Sequence, residues 1–423
     1  MSHFIRLTSL WCLPVAILFT HCQRASTGED DDRNSANVAD VKNVENTFTY
    51  DREFLARYHP DNVLLHAPDG PGQALIVPAY QGRVMTSTIA GAGDPSFGWI
   101  NYDLIQSQEL QPHFNAFGGE DRFWLGPEGG QYAIFFPPGS DFTFEDWKTP
   151  SPIDTEPFKL LESDAHSVSF SKNMELTNYS GFTFQLEVAR TIRMLTQDAL
   201  EERFGVSLPD SVNYVAFASE NTITNTGDQP WQKAKGLLSI WILGMFNPSD
   251  QTTIVVPYQT EAPSSVPVVN SDYFGDVPSD RLTNEAGVIY FKGDGKYRSK
   301  IGVPPKRAKS MAGSYDAGQQ TLTLVHFTYD EEATDYVNSM WEMQDEPYGG
   351  DVMNAYNDGA IEGGSQLGPF YELESSSAAV ALSPQQSLTH THTTIHLIGE
   401  KRQLEAVARE VLGVSLDQIS SAF

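Results

Sequence analysis

The sequence predicts an all-β protein with a few short helices, built as one large two-sheet sandwich over residues 47–423. Three observations predict it. β-Branched or alternating apolar runs recur along the whole stretch, divided by Gly, Pro, Asn and Asp clusters drawn from 33 Gly and 25 Pro. No linker interrupts residues 47–423, so the strands belong to one unit. No repeat of blade or solenoid length is visible, which leaves two packed sheets.

The elements follow in order. Strands are expected at 74–77, 83–89, 131–136, 167–170, 182–192, 214–223, 236–243, 252–256, 288–291, 321–327 and 387–397. Two helices are expected, at 197–204 and 401–412. In the second, Leu404, Val407, Ala408, Val411 and Leu412 fall on one face. Each helix runs into Gly-Val-Ser-Leu, whose glycines, Gly205 and Gly413, suit a helix C-cap.

Composition narrows the function. The chain has 27 Lys+Arg against 55 Asp+Glu, a net charge of −28. That balance excludes nucleic acid as a partner and argues against adsorption to an anionic membrane. Cys12 and Cys22 are the only cysteines. No disulfide framework, thiolate metal site or cysteine nucleophile is available after them. Simple motifs for serine hydrolases, nucleotide enzymes and zincins are absent.

Residues 1–22 read as an export signal. Arg6 supplies the positive end, and the apolar run 7–19 is too short to span a bilayer. Leu18-Phe19-Thr20-His21-Cys22 resembles a bacterial lipobox, which implies lipidation of Cys22. His21 stands where that motif has a small residue, and an ordinary secretory signal cut near Ala25 is the alternative. Residues 23–46 are a polar tether with an acidic run, Glu29-Asp30-Asp31-Asp32. The expected location is the bacterial envelope, lipid-anchored at the outer membrane or cell surface.

Three constellations carry candidate chemistry. In the first, Gly118-Gly119 and Gly129-Gly130 bracket Glu120, Asp121, Arg122, Trp124 and Glu128, with Asn115 just before. An aromatic ring beside charged groups suits a sugar, with the ring on C–H faces and the charges on hydroxyls. A structural turn with an internal Arg–carboxylate pair is the other reading, and Trp124 is then a core residue. In the second, Glu372 and Glu374 share strand parity, as do His390, His392 and His396. If the Pro384 turn makes a hairpin, both pairs converge on one concave face, and the acidic surroundings raise the histidine pKa. A metal held by His390, His392 and Glu374 is an alternative there; otherwise no cofactor is required. The third is charge asymmetry: residues 310–400 hold 14 Asp+Glu and no Lys or Arg. Asn354, Tyr356, Asn357 and Asp358 lie within it and suit sugar hydroxyls, Ca²⁺ or an Asx-held turn. Lys296, Arg298 and Lys300 alternate just before, placed to pair with that acid or to hold an acidic sugar.

The Asn115-x-x-Gly118-Gly119 stretch resembles an early-strand motif of aldose 1-epimerases. The wider Gly-Gly-Glu-Asp-Arg-Phe-Trp-Leu-Gly-Pro-Glu pattern over 118–128 resembles uncharacterised relatives with the galactose mutarotase-like β-supersandwich. Asn225-Thr226-Gly227-Asp228-Gln229-Pro230 and the strand Phe370-Tyr371-Glu372-Leu373-Glu374-Ser375 are similar to later segments of that fold, although Gln385 replaces a turn glycine. The whole chain looks most like a bacterial lipoprotein family of unknown function. The resemblance implies a carbohydrate partner and acid–base chemistry, with Glu374 as base and His390 or His392 as acid. The epimerase His-Asn-Leu motif is missing, and no histidine lies between His166 and His326. A non-catalytic glycan-binding lipoprotein is the reading from another class.

Overall fold

The computed structural model describes residues 45–89, 95–209, 212–360, 364 and 366–423. Cys22, the export signal and nearly all of the tether lie outside the described residues. Among those described, no helix is long and apolar enough to cross a membrane.

Period two organises the molecule. In the strand Thr183–Met194, exposed and buried residues alternate, with Phe184, Leu186, Val188 and Ile192 turned inward. It pairs antiparallel with Ser167–Thr177 on one side and Asn213–Asn225 on the other. These belong to a ten-stranded sheet that also holds Ser387–Ile398, Thr321–Phe327 and Met311–Asp316. A five-stranded sheet is ordered Ser299–Val303, Met353–Asn357, Tyr371–Ser376, Ser239–Phe246, Arg122–Gly126. A small sheet joins Val63–His66, Gln73–Val77 and Arg83–Thr88. Phe123, Leu125, Ile240 and Ile242 are buried in one hydrophobic cluster with Val168, Phe184, Val215 and Phe217 of the large sheet. That cluster is the sandwich interior.

The all-β expectation therefore holds, and both expected helices form, at Gln197–Phe204 and Lys401–Val411. Three readings change. Residues 131–136 are not a strand. Phe135 and Phe136 are buried side by side, and Gly130, at positive φ, and the Pro137-Pro138 pair frame an irregular segment. Residues Met353–Asn357, where no strand was expected and an Asx-held turn was one reading, form a fully buried strand. The helix Phe48–Tyr58 was not expected; it packs Phe48, Phe54 and Leu55 against Leu75, Val77 and Met85 of the small sheet.

The largest correction concerns the late hairpin. Tyr371–Ser376 pairs with Met353–Asn357 and Ser239–Phe246, whereas Ser387–Ile398 pairs with Asn213–Asn225 and Thr321–Phe327. The chain crosses from one sheet to the other after Ser376, so the two strands are not neighbours in a ladder.

Candidate functional site

Parity on the five-stranded sheet assembles the site. Two rows cross it on one face. One row runs Asn354, Glu374, Leu243, Arg122, and the next runs Lys300, Tyr356, Glu372, Met245. Trp124 and Trp241 face each other across their strand pair, with rings 5.5 Å apart. A sheet face of this kind would normally be apolar if packed or hydrated if open. This one is charged and buried at once: Glu374 is 0%, Arg122 2% and Lys300 9% exposed.

The charges neutralise one another diagonally. Lys300 Nζ donates to Glu374 Oε2 at 3.0 Å, and Trp241 Nε1 donates to the same oxygen at 2.9 Å. Arg122 Nη2 donates to Glu372 Oε1 at 3.1 Å. The Arg122 guanidinium also lies 4.1 Å from the centre of the Trp124 ring, and Lys300 Nζ 4.6 Å from that of Trp241. Burial pushes the Glu372 carboxyl up to about 8; Arg122 opposes the shift and Glu374 adds to it. Burial likewise raises Glu128, with Lys300 pulling the other way.

Not every polar atom is used. Glu374 Oε1, Arg122 Nε and Nη1, and Trp124 Nε1 are buried and have no hydrogen-bond partner among the described residues. One acceptor and three donors thus remain on a single face. Beside them opens a narrow cleft lined by Trp241, Lys300, Asn354, Tyr273, Asp351 and Ser376; Glu374, Arg122 and Trp124 do not line it. Val337 and Ser339 form its roof, with Val337 against Gly126 of the sheet, where a Cβ would come 2.9 Å from Val337 Cγ2. The roof segment presses onto glycines. A Cβ on Gly350 would sit 2.0 Å from Val337 O, and one on Gly129 2.2 Å from Met340 O.

The structure brings together Arg122, Trp124, Lys300, Asn354, Tyr356, Glu372 and Glu374 of the residues expected from sequence. Trp124 forms a wall rather than an open platform: it is 4% exposed and packs on Phe114, Phe135 and Trp241. Glu128 follows the Arg122–Gly126 strand, and its carboxyl feels Lys300 and Glu374. Arg298 stacks over Phe274 at the margin, 4.1 Å from the ring centre. Asp358 accepts from Tyr356 Oη at 2.9 Å and from the Gly368 N–H at 3.0 Å.

Other expected residues lie elsewhere, for reasons of parity and sheet membership. Glu120 points into the sandwich, where Ser87 Oγ (2.9 Å) and His396 Nε2 (2.8 Å) share its Oε2. Asp121 forms a fully buried ion pair with Arg190 at 2.6 Å. Asn115 is tied to Asp154 at 2.7 Å. Asn357 has the opposite parity to Tyr356 and holds the Gly295 N–H and the Tyr297 carbonyl.

His390 and His392 are the main departure. Both contact Ser375 Oγ at 2.8 Å, and Ser375 faces away from Glu374. The carboxylate pair and the histidine pair therefore occupy opposite faces of the five-stranded sheet, and a site joining His390, His392 and Glu374 does not form. Nor does any group of three or more His, Cys, Asp or Glu among the described residues have metal-binding geometry. The expected rise in histidine pKa is reversed: burial lowers both imidazoles to about 3.

Sequence reasoning missed Trp241 and Tyr273, while Asp351 opened the acidic segment 351–359 singled out for sugar hydroxyls. Trp241 was readable as the residue alternating with Leu243 on an apolar strand. Tyr273 sits in a Gly- and Pro-rich stretch with no periodicity, so nothing local marked it.

The chain belongs to the family of unknown function DUF6786. The family model matches residues 46–423. No curated protein is similar enough to count as a match. Among solved structures, this DUF6786 chain is similar to the Slr1438 protein of Synechocystis sp. PCC 6803, with 11% identity and a TM-score of 0.49 over 80% of this chain and 96% of that one. It is also similar to a galactose mutarotase-like protein from Lactobacillus casei ATCC 334, with 12% identity and a TM-score of 0.45 over 79% of this chain and 99% of the other. A 4-alpha-glucanotransferase from Thermococcus litoralis shares 9% identity at a TM-score of 0.34, over 79% of this chain and 39% of that one. At such identities the likeness concerns the fold alone.

Proposed function

We propose that the charged cleft of the five-stranded sheet binds a sugar and acts on it by acid–base chemistry, with Glu374 as the base. One observation carries this reading: a free acceptor, Glu374 Oε1, shares one buried face with the free donors Arg122 Nε, Arg122 Nη1 and Trp124 Nε1. Sugar hydroxyls both donate and accept, so they satisfy both kinds of atom at once. Trp241, over which Lys300 is held, supplies an apolar wall for C–H faces.

The test uses D-galactose and D-glucose. Binding is followed by calorimetry and mutarotation by polarimetry. Glu374→Gln should keep sugar binding and lower turnover by about 100-fold or more, the usual contribution of a positioned general base. Equal rates for the wild type and Glu374→Gln would end the proposal. A second reading, a non-catalytic sugar-binding protein, is favoured by the anchoring of Glu374: its Oε2 is already held by two donors. A wild type that binds but does not accelerate mutarotation selects it.

The proposed setting is the bacterial envelope, anchored through lipid on Cys22; its support is the sequence of the first 22 residues alone. Cys22→Ser should release the protein to the soluble fraction, and membrane retention of that variant would remove the anchor from the account.

A further inference from the structure

Opening a sugar ring needs an acid as well as a base. The histidines expected to fill that role face into the sandwich, on the far side of the sheet from Glu374. The cleft holds another proton-bearing group.

Tyr273 enters the cleft from a long connection that docks on the sheet edge. Just before it, Asn270 exchanges both backbone hydrogen bonds with Gly302, each at 2.8 Å. The phenol donates to Asp351 Oδ2. Asn270 Nδ2 fixes the other oxygen, Oδ1, at 2.8 Å. Asn354 Nδ2 donates to Tyr273 Oη at 3.2 Å, and Asn354 pairs directly with Glu374 across the strands. Asp351 lies over Gly302, where a Cβ would come 2.0 Å from Oδ2. Lys300 stands between the two acidic groups: Nζ is 3.0 Å from Glu374 Oε2 and 5.5 Å from the centre of the Tyr273 ring. Tyr273, Asp351, Lys300 and Trp241 all line one cleft.

We propose that Tyr273, held by Asp351, is the proton donor that works opposite Glu374, which lies buried beside this cleft. The inference rests on the reading of the cleft as a sugar site. In the ring-opening step, Glu374 takes the proton of the anomeric hydroxyl. Its O–H electron pair becomes the new carbonyl bond. The bond from the anomeric carbon to the ring oxygen breaks, and its electron pair takes the proton of Tyr273. While Asp351 holds its proton, its carboxyl donates to the phenol oxygen in place of accepting from it, which frees the phenol proton for the ring oxygen and, with Asn354 Nδ2, holds the phenolate until ring closure returns the proton. Ring closure on the other face of the carbonyl returns every proton, so no other reactant is consumed. Asp351 acts through Tyr273 and is a positioning residue.

Electrostatics suit this relay. Burial pushes the Asp351 carboxyl up to about 6; the hydrogen bonds from Tyr273 and Asn270 and the Lys300 charge oppose that rise, and Asp272 adds to it. Burial, then Asp351 and Glu374, push the Tyr273 phenol well above its usual range. The relay is loaded while Asp351 holds its proton and empties as pH rises through about 6.

The test follows mutarotation of α-D-galactose and α-D-glucose in the wild type, Tyr273→Phe, Asp351→Asn and Glu374→Gln across pH. Tyr273→Phe should lose about 100-fold or more in kcat. Asp351→Asn, whose amide donates without titrating, should abolish the fall in rate above about pH 6. Glu374→Gln inactive with Tyr273→Phe at full rate overturns this inference alone. An unchanged alkaline limb in Asp351→Asn also overturns it, and that result decides the matter if Tyr273→Phe does not fold. A wild type that accelerates neither sugar overturns the catalytic reading of the cleft and this inference together.

Discussion

Glu374 and Ser375 are adjacent in one strand and face opposite environments. Glu374 joins a layer of charges with unused hydrogen-bonding atoms. Ser375 joins an interior seam in which one hydroxyl serves two imidazoles. Both layers are polar and buried, yet they are built differently. On the cleft side, opposite charges are paired across strands and several donors and one acceptor stay open. On the interior side, burial keeps the imidazoles neutral, so no charge needs a counterion. Open valences do not separate the layers, since His390 Nδ1 and His392 Nε2 also lack partners; the paired opposite charges beside a cleft do.

The largest expected effect comes from breaking the cleft's charge balance. Lys300→Ala strands the Glu374 carboxylate, and loss of one partner of a buried pair costs about 3–5 kcal/mol. Urea unfolding at pH 7 checks it, and an unchanged midpoint would mean that the pair is hydrated and the layer not dry.

Ser375→Ala tests the other face. It leaves Nε2 of His390 and Nδ1 of His392 without their shared hydroxyl, at a cost of about 1–3 kcal/mol. Sugar affinity should not change. A variant of native stability with weakened sugar binding would erase the distinction between the faces.

A pair of opposed pH slopes separates the same two layers. The interior imidazoles titrate near 3 when folded against 6.5 when unfolded. The unfolded chain therefore takes up protons first, and stability is lost as pH falls from 6.5 toward 3. Glu372 runs the other way, with about 8 when folded against 4.5 unfolded. Its folded state keeps the proton, so this contribution is full below 4.5 and is lost as pH rises toward 8. The windows overlap from 4.5 to 6.5, where two imidazoles outweigh one carboxyl, so melting temperatures from pH 3 to 9 should peak near 6.5. Glu372→Gln should flatten only the alkaline side; flattening on the acid side would contradict the assignment.

How far the sequence predicted this arrangement follows from what alternation encodes. Parity within a strand placed Glu372 with Glu374 and His390 with His392 on common faces, and that much was correct. It also exposed Lys300 as a partner for the acidic segment. Alternation says nothing about which sheet a strand joins. The contact that completes the site, Arg122 to Glu372, spans 250 positions of chain, and no local pattern reports it. The crossing after Ser376 was unreadable for the same reason: Pro384 signals a turn, and a turn fits a hairpin as well as a passage between sheets. Tyr273 was missed because its placement depends on Asn270 finding the edge of a strand elsewhere in the chain.

The roof over the cleft rests on bare backbone. At Gly129 and Gly350, the carbonyls of Met340 and Val337 occupy the space that any side chain would need. The floor is fixed by the ladder of a five-stranded sheet, and the roof is held by backbone hydrogen bonds from Tyr336 to Tyr348 and from Asn338 to Pro347, by Ser339 Oγ on the Glu128 N–H, and by this close fit at the two glycines. A single methyl group at either position would have to lift the segment carrying Val337 and Ser339 before touching any charged group. Related chains could therefore widen or narrow the entrance by exchanging those two glycines, and so change which molecules are admitted while the proton-handling groups beneath stay as they are.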